Sequence, residues 1–168
     1  AGPMSGSLGM SRSPDDAAKA TAALADHLGG IDKLRDASAE AILKWQLSAP
    51  FGYGAVHDGE VIAAPIADAI ADGRYSKGVP LLIGTCEHES ALWSAMGSDA
   101  DELDDEALRN RLAKIGIGNV EGVLAAYAAN DRKPVDVLTA VMTDRTFRLP
   151  AIRTAELHRR HTPEVWAY

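Results

Sequence analysis

The feature that most constrains the fold of this 168-residue chain is one uninterrupted apolar run, Val79-Pro80-Leu81-Leu82-Ile83-Gly84. Runs of this kind are typical of strands that are buried on both faces of a parallel sheet. The other candidate for such a strand, 165–168, lies at the far end of the sequence. A lone buried strand leaves backbone N–H and C=O groups unpaired along both edges, which is costly. The sequence therefore predicts an α/β protein, helix-rich with few strands, whose sheet is completed by another chain or by residues of a longer protein.

Helical signals dominate the rest of the chain. Ser13-Pro14 combines an N-cap with a proline at the first helical position, and Gly29-Gly30 is a typical helix end. A short helical turn is expected just after these glycines. Further helices are predicted at about 65–71, 89–95, 103–114, 119–129, 135–148 and 151–161, with Pro150 separating the last two.

Two more local predictions concern the first half of the chain. Ser38 is expected to cap a second helix that runs to about residue 47 and buries Ile42, Leu43 and Leu47. Asp58-Gly59 stands between two short apolar runs, a pattern that predicts a β-hairpin over 55–62.

Composition excludes several classes of function. The net charge is −7, and the 17 basic residues are scattered among 24 acidic ones, so we expect no nucleic-acid binding. Cys86 is the single cysteine, which rules out an internal disulfide and gives no sign of an oxidising compartment. No window approaches the ~20 apolar residues of a membrane span, and the start lacks the pattern of a signal peptide. Richness in Ala and Asp suggests a bacterial source, and a cytoplasmic location is favoured but not fixed by the sequence.

Several segments, taken in order, carry a resemblance to a known family. They are Val56-His57-Asp58-Gly59-Glu60-Val61-Ile62, Pro65-Ile66-Ala67-Asp68-Ala69, Gly73-Arg74 and the apolar run continued to Thr85. Their order and spacing resemble the type-B carboxylesterases, which include cholinesterases. In that family a DG hairpin precedes a short helix and an apolar strand that ends in I-G. The strand is followed by a segment that usually reads D-E-G, and the corresponding residues here are His88-Glu89-Ser90.

A second set of matches extends this resemblance over most of the chain. The stretch 143–151 is similar to the family's paired helices, which lead to a strand like 165–168, and 24–47 is similar to its small helical segment after the nucleophile. The resemblance implies that residues 1–168 are the C-terminal part of a single α/β-hydrolase catalytic domain. The remaining part of that domain would then supply the missing strands.

The resemblance implies that Glu89 is the acid of a Ser-His-Glu triad, although His88 and Ser90 depart from the usual Asp and Gly. A serine hydrolase needs a nucleophile, a histidine base and a carboxylate that orients the imidazole. Functional groups of open α/β sheets gather beyond the C-terminal strand ends, and Glu89 follows the apolar run there. Local sequence alone favours a different role, in which Glu89 is an ordinary first-turn acid of a solvated helix; it is the surrounding resemblance that favours the triad acid.

The other two members of the triad are not found in these 168 residues. No G-x-S-x-G nucleophile elbow occurs in the sequence, and the family's histidine follows the strand that begins at Val165, beyond Tyr168. Residues 1–168 alone are therefore expected to be inactive. The complete protein is expected to be a serine carboxylesterase that acts on small-molecule esters and needs no metal or organic cofactor.

The first residues permit two interpretations. Ala1-Gly2-Pro3-Met4-Ser5 is similar to the A-G-x-M-S that commonly follows the nucleophile in this family. On that interpretation the backbone N–H of Ala1 would help to form the oxyanion hole. The alternative is that Gly2-Pro3 is the remnant of a protease cleavage site.

Three other features near Glu89 bear on the chemistry of this region. Trp93, one helical turn after Glu89, is a candidate for lining an acyl or alcohol pocket. Cys86 more often packs at a strand end than acts as a nucleophile. Glu87, His88 and Glu89 are adjacent and lack the usual ligand spacing, so a metal site is not expected.

One further function remains open, because His88 and Ser90 depart from the family pattern. The protein could be a non-catalytic, cholinesterase-like module that binds a partner. A fluorophosphonate probe discriminates the two, since it labels only a protein with an activated serine.

Overall fold

The computed structural model describes residues 2, 8–49, 54–96, 103–127 and 132–168. The chain divides into two compact units, one formed by Leu8–Gly78 and one built on Val79–Tyr168. The described helices are α1 (Pro14–Leu28), α2 (Ala39–Ser48), α3 (Ile66–Ala71), α4 (Ala91–Met96), α5 (Asp105–Lys114), α6 (Val120–Tyr127), α7 (Pro134–Thr143) and α8 (Leu149–His158). The described strands are β1 (Leu81–Ile83) and β2 (Val165–Ala167).

The helix ends of the unit Leu8–Gly78 follow the sequence signals. The Ser13 side chain accepts a hydrogen bond from the Asp16 backbone N–H, which caps α1 as predicted. Gly29 has φ of 86°, the left-handed conformation that favours glycine, and it ends the same helix. A short 3-10 turn, Ile31–Lys33, follows, and α1 packs against α2.

Helix α2 starts at its predicted cap, but its buried face is not the predicted one. Trp45 is buried, whereas Leu43 is 58% and Leu47 is 91% exposed. Ile42 is half-buried. Leu43 and Leu47 are four residues apart and share one face, while Trp45 lies on the opposite side of the helix. The bulky indole therefore sets which face this unit buries, and the prediction that Leu43 and Leu47 are buried is wrong.

The predicted hairpin over 55–62 does not form. Instead, Oδ1 of Asp58 accepts hydrogen bonds from the backbone N–H groups of Glu60, Val61 and Ile62. These bonds, led by the one from Glu60, hold the pKa of the Asp58 carboxyl below its ordinary value. The carboxylate thus winds the chain into a loop at the point where a hairpin would need cross-strand pairing. Val56 pairs with Arg12 in an isolated parallel bridge.

The two strands of the other unit lie side by side and run parallel. Leu81 is opposite Val165, Leu82 is opposite Trp166, and Ile83 is opposite Ala167. The predicted strand near the end of the sequence is therefore the neighbour that pairs one edge of β1. Leu81 and Ile83 are buried and Leu82 is 51% exposed, so the prediction of burial on both faces is wrong within this unit.

A helical layer makes up most of this unit. Buried residues of α5 and α7 form its apolar core, and partly buried side chains of α6 pack against them; the core consists of Leu108, Leu112, Val137 and Val141. Helix α8 packs on both strands. Its buried His158 has Nε2 2.9 Å from the backbone carbonyl oxygen of Val79, which fixes the entry to β1.

Helices α7 and α8 are joined without a break by a π-helical turn, Asp144–Arg148. The sequence predicted a separation at Pro150, which instead lies in the first turn of α8. Pro150 has no N–H to give to the carbonyl of residue 146, so regular α-helical bonding cannot continue through this point. The wider π-turn absorbs the interruption and carries the helix onward.

Candidate active site

Glu89 lies on the turn that joins β1 to α4. The strand ends at Ile83, the turn covers 87–90, and α4 begins at Ala91. The Glu89 side chain is half-buried, and its Oε1 accepts a hydrogen bond of 2.9 Å from the backbone N–H of Cys86. This bond tethers the carboxylate to the backbone just beyond the C-terminal end of the strand.

The parallel pairing brings a second strand end to the same edge. Tyr168, directly after β2, donates its backbone N–H to the carbonyl oxygen of Ile83 over 3.2 Å. The ends of β1 and β2 are therefore adjacent, at the spacing of about 4.8 Å between neighbouring strands. A residue that follows Tyr168 would leave β2 on the side where the turn 87–90 leaves β1.

Gly84 makes this close approach possible. A Cβ atom at this position would lie 2.6 Å from the carbonyl oxygen of Tyr168 and 2.7 Å from two carbons of its ring. Such distances are shorter than any ordinary contact, so only glycine lets Tyr168 lie against the backbone here. The small residue that ends the apolar run is thus required by packing between the two strand ends.

The segment from Thr143 to Arg148 forms hydrogen bonds to both ends of the turn 87–90, here called the Glu89 turn. Ser90, at the end of the turn, donates its backbone N–H to Oγ1 of Thr143 over 3.1 Å, and both residues are buried. Arg148 donates from Nη2 to the carbonyl oxygen of Glu87 over 2.9 Å, at the start of the turn. Two hydrogen bonds therefore fix the turn on both sides of Glu89.

A carboxylate orients Arg148. Its Nη1 donates to Oδ1 of Asp144, and Oδ2 of the same carboxylate accepts a hydrogen bond of 2.6 Å from the Tyr127 hydroxyl. The pKa of Tyr127 is raised to about 12. Partial burial is the largest cause, and the hydrogen bond to Asp144 and the negative charge of that carboxylate add to it. The Asp144 carboxylate thus contacts a neutral phenol through one oxygen and the Arg148 guanidinium through the other.

Trp93, in α4, lies four residues after Glu89 and stacks on a second aromatic ring. The ring centroids of Trp93 and Phe147 are 5.8 Å apart, and their planes are inclined by 22°. Trp93 is 61% exposed, which is unusual for a large aromatic side chain with only a structural role. The exposed indole of Trp93, backed by the half-buried ring of Phe147, is a surface on which an apolar group could lie.

The remaining residues considered from the sequence have different surroundings. Nε2 of His88 lies 4.0 Å from Oε1 of Glu87, and both of these side chains are exposed. Cys86 is an exposed free thiol. Among the described residues, no group of three or more His, Cys, Asp or Glu side chains could hold a metal ion. Ala1, the candidate for the oxyanion hole, lies outside the described residues.

Comparison with solved structures identifies the fold. A carboxylesterase from Geobacillus stearothermophilus, EST55 at pH 6.2, matches with a TM-score of 0.79 and 25% identity over 95% of this chain and 35% of its own length. The same enzyme at pH 6.8 matches with a TM-score of 0.77, at 25% identity over 95% of this chain and 34% of its own. A PNB esterase matches with a TM-score of 0.70 and 26% identity, over 94% and 35% of the two chains. No family model matches the sequence.

This chain has the fold of part of a type-B carboxylesterase. It spans about a third of the length of the esterases that it matches. The predictions of family and of a partial, helix-rich α/β-hydrolase fold with few strands are confirmed. No helix within the described ranges combines the length and the apolar character needed to cross a membrane.

Sequence reasoning missed three residues of this chain that contact the segment around Glu89. They are Thr143, Phe147 and Arg148. Thr139 and Thr143 offered a signal, because two polar residues four positions apart in an apolar helix share one face, and both are buried. The π-turn that brings Arg148 into place left no such signal.

Proposed function

We propose that the complete protein hydrolyses carboxylic esters by Ser-His-Glu acyl transfer, with Glu89 as the acid of the triad. The observation that carries this proposal is the position of Glu89. It lies on a turn beyond the C-terminal end of β1, and its carboxylate is tethered to the Cys86 N–H. The similarity of fold to carboxylesterases supports ester hydrolysis as the reaction class.

The pairing of the strands supports the proposal that the histidine base lies on the segment that follows β2. In type-B carboxylesterases the base follows the strand that corresponds to β2, which here ends beside Ile83. A loop leaving β2 after Tyr168 would start one strand spacing, about 4.8 Å, from the segment that leads to Glu89. An imidazole on that loop would be within reach of the carboxylate.

The two oxygens of Glu89 then have separate tasks. Oε1 accepts the Cys86 N–H, which fixes the plane of the carboxylate, and the second oxygen accepts Nδ1–H of the imidazole. The serine attacks the ester carbonyl while Nε2 of the histidine takes its proton. Glu89 holds the histidine in the correct tautomer and stabilises the imidazolium that forms, without itself becoming protonated. Backbone N–H groups, including that of Ala1, hold the oxyanion.

Trp93 is proposed to contact the substrate. It lies four residues after Glu89, and its ring is exposed and supported by Phe147, so it could pack against the acyl or alcohol group of an ester. A small-molecule ester such as p-nitrophenyl acetate fits this arrangement.

The two units are proposed to be parts of one catalytic domain, whose remaining strands and helices come from the rest of the protein. Exposed apolar side chains on both strands support the proposal that further parts of the domain cover this sheet. Leu82 is 51% and Trp166 is 55% exposed, and side chains of this size are normally covered when they occur together on a sheet.

Fluorophosphonate labelling of the full-length protein tests the proposed function. An esterase carries an activated serine, so we expect covalent labelling together with turnover of p-nitrophenyl acetate. Residues 1–168 alone should not be labelled. A folded full-length protein that resists labelling and shows no turnover would contradict the proposal and would favour a non-catalytic binding module.

A further inference from the structure

The segment Thr143–Arg148 contacts the Glu89 turn at two points and Trp93 of α4 at a third. Thr143 accepts the N–H of Ser90, Arg148 donates to the carbonyl of Glu87, and Phe147 stacks on Trp93. The contacted residues, 87–93, include the acid and the aromatic ring proposed to meet the substrate. One segment of helix therefore fixes both.

The π-turn explains how one segment reaches all three points. Residues five apart on a regular α-helix, such as Thr143 and Arg148, point in different directions, because successive residues are offset by about 100°. The wider π-turn over Asp144–Arg148 takes an extra residue per turn and brings such residues closer to one face. Insertions of this kind are frequent at functional sites.

The side chains of Thr143 and Arg148 are held in place in different ways. Thr143 is completely buried, and the N–H of Ser90 that it accepts is buried as well. Arg148 is less enclosed, but its guanidinium is oriented by Asp144, which is in turn bonded to the neutral phenol of Tyr127. Both bonds to the turn thus come from side chains whose own positions are fixed by their surroundings.

We propose that Thr143 and Arg148 are positioning residues that set the orientation of the Glu89 carboxylate, by holding the main chain on either side of it. This inference rests on the proposed function of Glu89. Neither residue would touch the substrate or the reacting atoms. Their effect would pass through the turn to the carboxylate, and from there to the imidazole that the carboxylate orients.

Substitution of Thr143 in the full-length enzyme tests the inference. Thr143→Val keeps the shape of the side chain and removes the oxygen that accepts the Ser90 N–H, whereas Thr143→Ser keeps that oxygen. We expect about a tenfold decrease in kcat for Thr143→Val with KM nearly unchanged, and near-normal turnover for Thr143→Ser. Thr154→Val is the matched control, since the hydrogen bond that the structure describes for the Thr154 hydroxyl stays within α8, to the Pro150 carbonyl.

The pH profile separates positioning from simple loss of stability. A well-placed Glu89 carboxylate favours the imidazolium and raises the pKa of the histidine. If Thr143→Val loosens that contact, the acid limb of kcat/KM should move to lower pH, by about half a unit or more. A loss of folded protein would lower the amplitude of the profile and leave its position unchanged.

Arg148→Lys keeps the test decisive if Thr143→Val folds poorly. Lysine retains the charge near Asp144 but lacks the planar fork that reaches both Asp144 and the Glu87 carbonyl. It should shift the acid limb in the same direction. The inference is overturned if both variants keep wild-type kcat and an unmoved acid limb while Glu89→Gln is impaired. A wild-type protein that no fluorophosphonate labels overturns the proposed function itself.

Discussion

Gly84→Ala in the full-length protein is a direct test of the strand arrangement. The added Cβ would lie 2.6 Å from the Tyr168 carbonyl oxygen, whereas ordinary contacts begin at 3.4 Å. The structure must therefore open by about 0.8 Å. Because Tyr168 is also bonded to Ile83, we expect the movement to fall on the strand end from which the histidine would follow.

A displacement of this size is large on the scale of catalysis. A misplacement of about 1 Å can lower a rate by about 100-fold, so we expect kcat to fall between about 10-fold and 100-fold. Overpacking also costs about 1–3 kcal/mol of stability. Steady-state hydrolysis of p-nitrophenyl acetate and thermal unfolding measure the two effects on the same samples.

Gly118→Ala is the control for this experiment. Gly118 belongs to the same unit, and nothing lies within 4 Å of the position that its Cβ would take. That variant should keep both its turnover and its Tm. Wild-type kcat and Tm in Gly84→Ala would refute the close approach of Tyr168 and the role we give to this strand end.

Two further predictions concern the helical layer. Leu112→Ala removes a fully buried side chain from the core and should lower the free energy of unfolding by about 2–5 kcal/mol, measured by urea titration; a change below about 1 kcal/mol would contradict the described packing. Tyr127 has a folded-state pKa raised from 10.0 to about 12, so the stabilisation from its neutral phenol is complete below pH 10 and is lost as pH rises through about 12. Tyr127→Phe should remove that alkaline transition, and the tyrosinate absorbance difference between the two proteins should titrate near 12; a midpoint near 10 would contradict the bond to Asp144.

Local signals in the sequence predicted the helices well. Ser13 caps α1 through the Asp16 N–H, and Gly29 ends it in a left-handed conformation, because capping depends on residues within a few positions. The family resemblance predicted the partial hydrolase fold and a strand at 165–168; the strand forms over Val165–Ala167, and its pairing with β1 was not predicted. Glu89 was found by the same resemblance, and its role stays a prediction.

Features that depend on distant contacts were not predictable in the same way. The Asp58-Gly59 pattern fits a hairpin, but the Asp58 carboxylate takes three backbone N–H groups and forms a loop instead. Burial on α2 follows Trp45 rather than the leucines, which is settled by packing within the unit. The π-turn before Pro150 joins two helices that the proline was predicted to separate.

The central claim, that Glu89 is the acid of the triad, is tested most directly by Glu89→Gln in the full-length protein. Glutamine has nearly the same shape, but it cannot stabilise an imidazolium or enforce the required tautomer. We expect kcat for p-nitrophenyl acetate to fall by about 10²–10⁴-fold with an unchanged Tm, while Glu156→Gln on the exposed face of α8 stays at wild-type turnover. A Glu89→Gln protein that turns over at the wild-type rate would contradict the account.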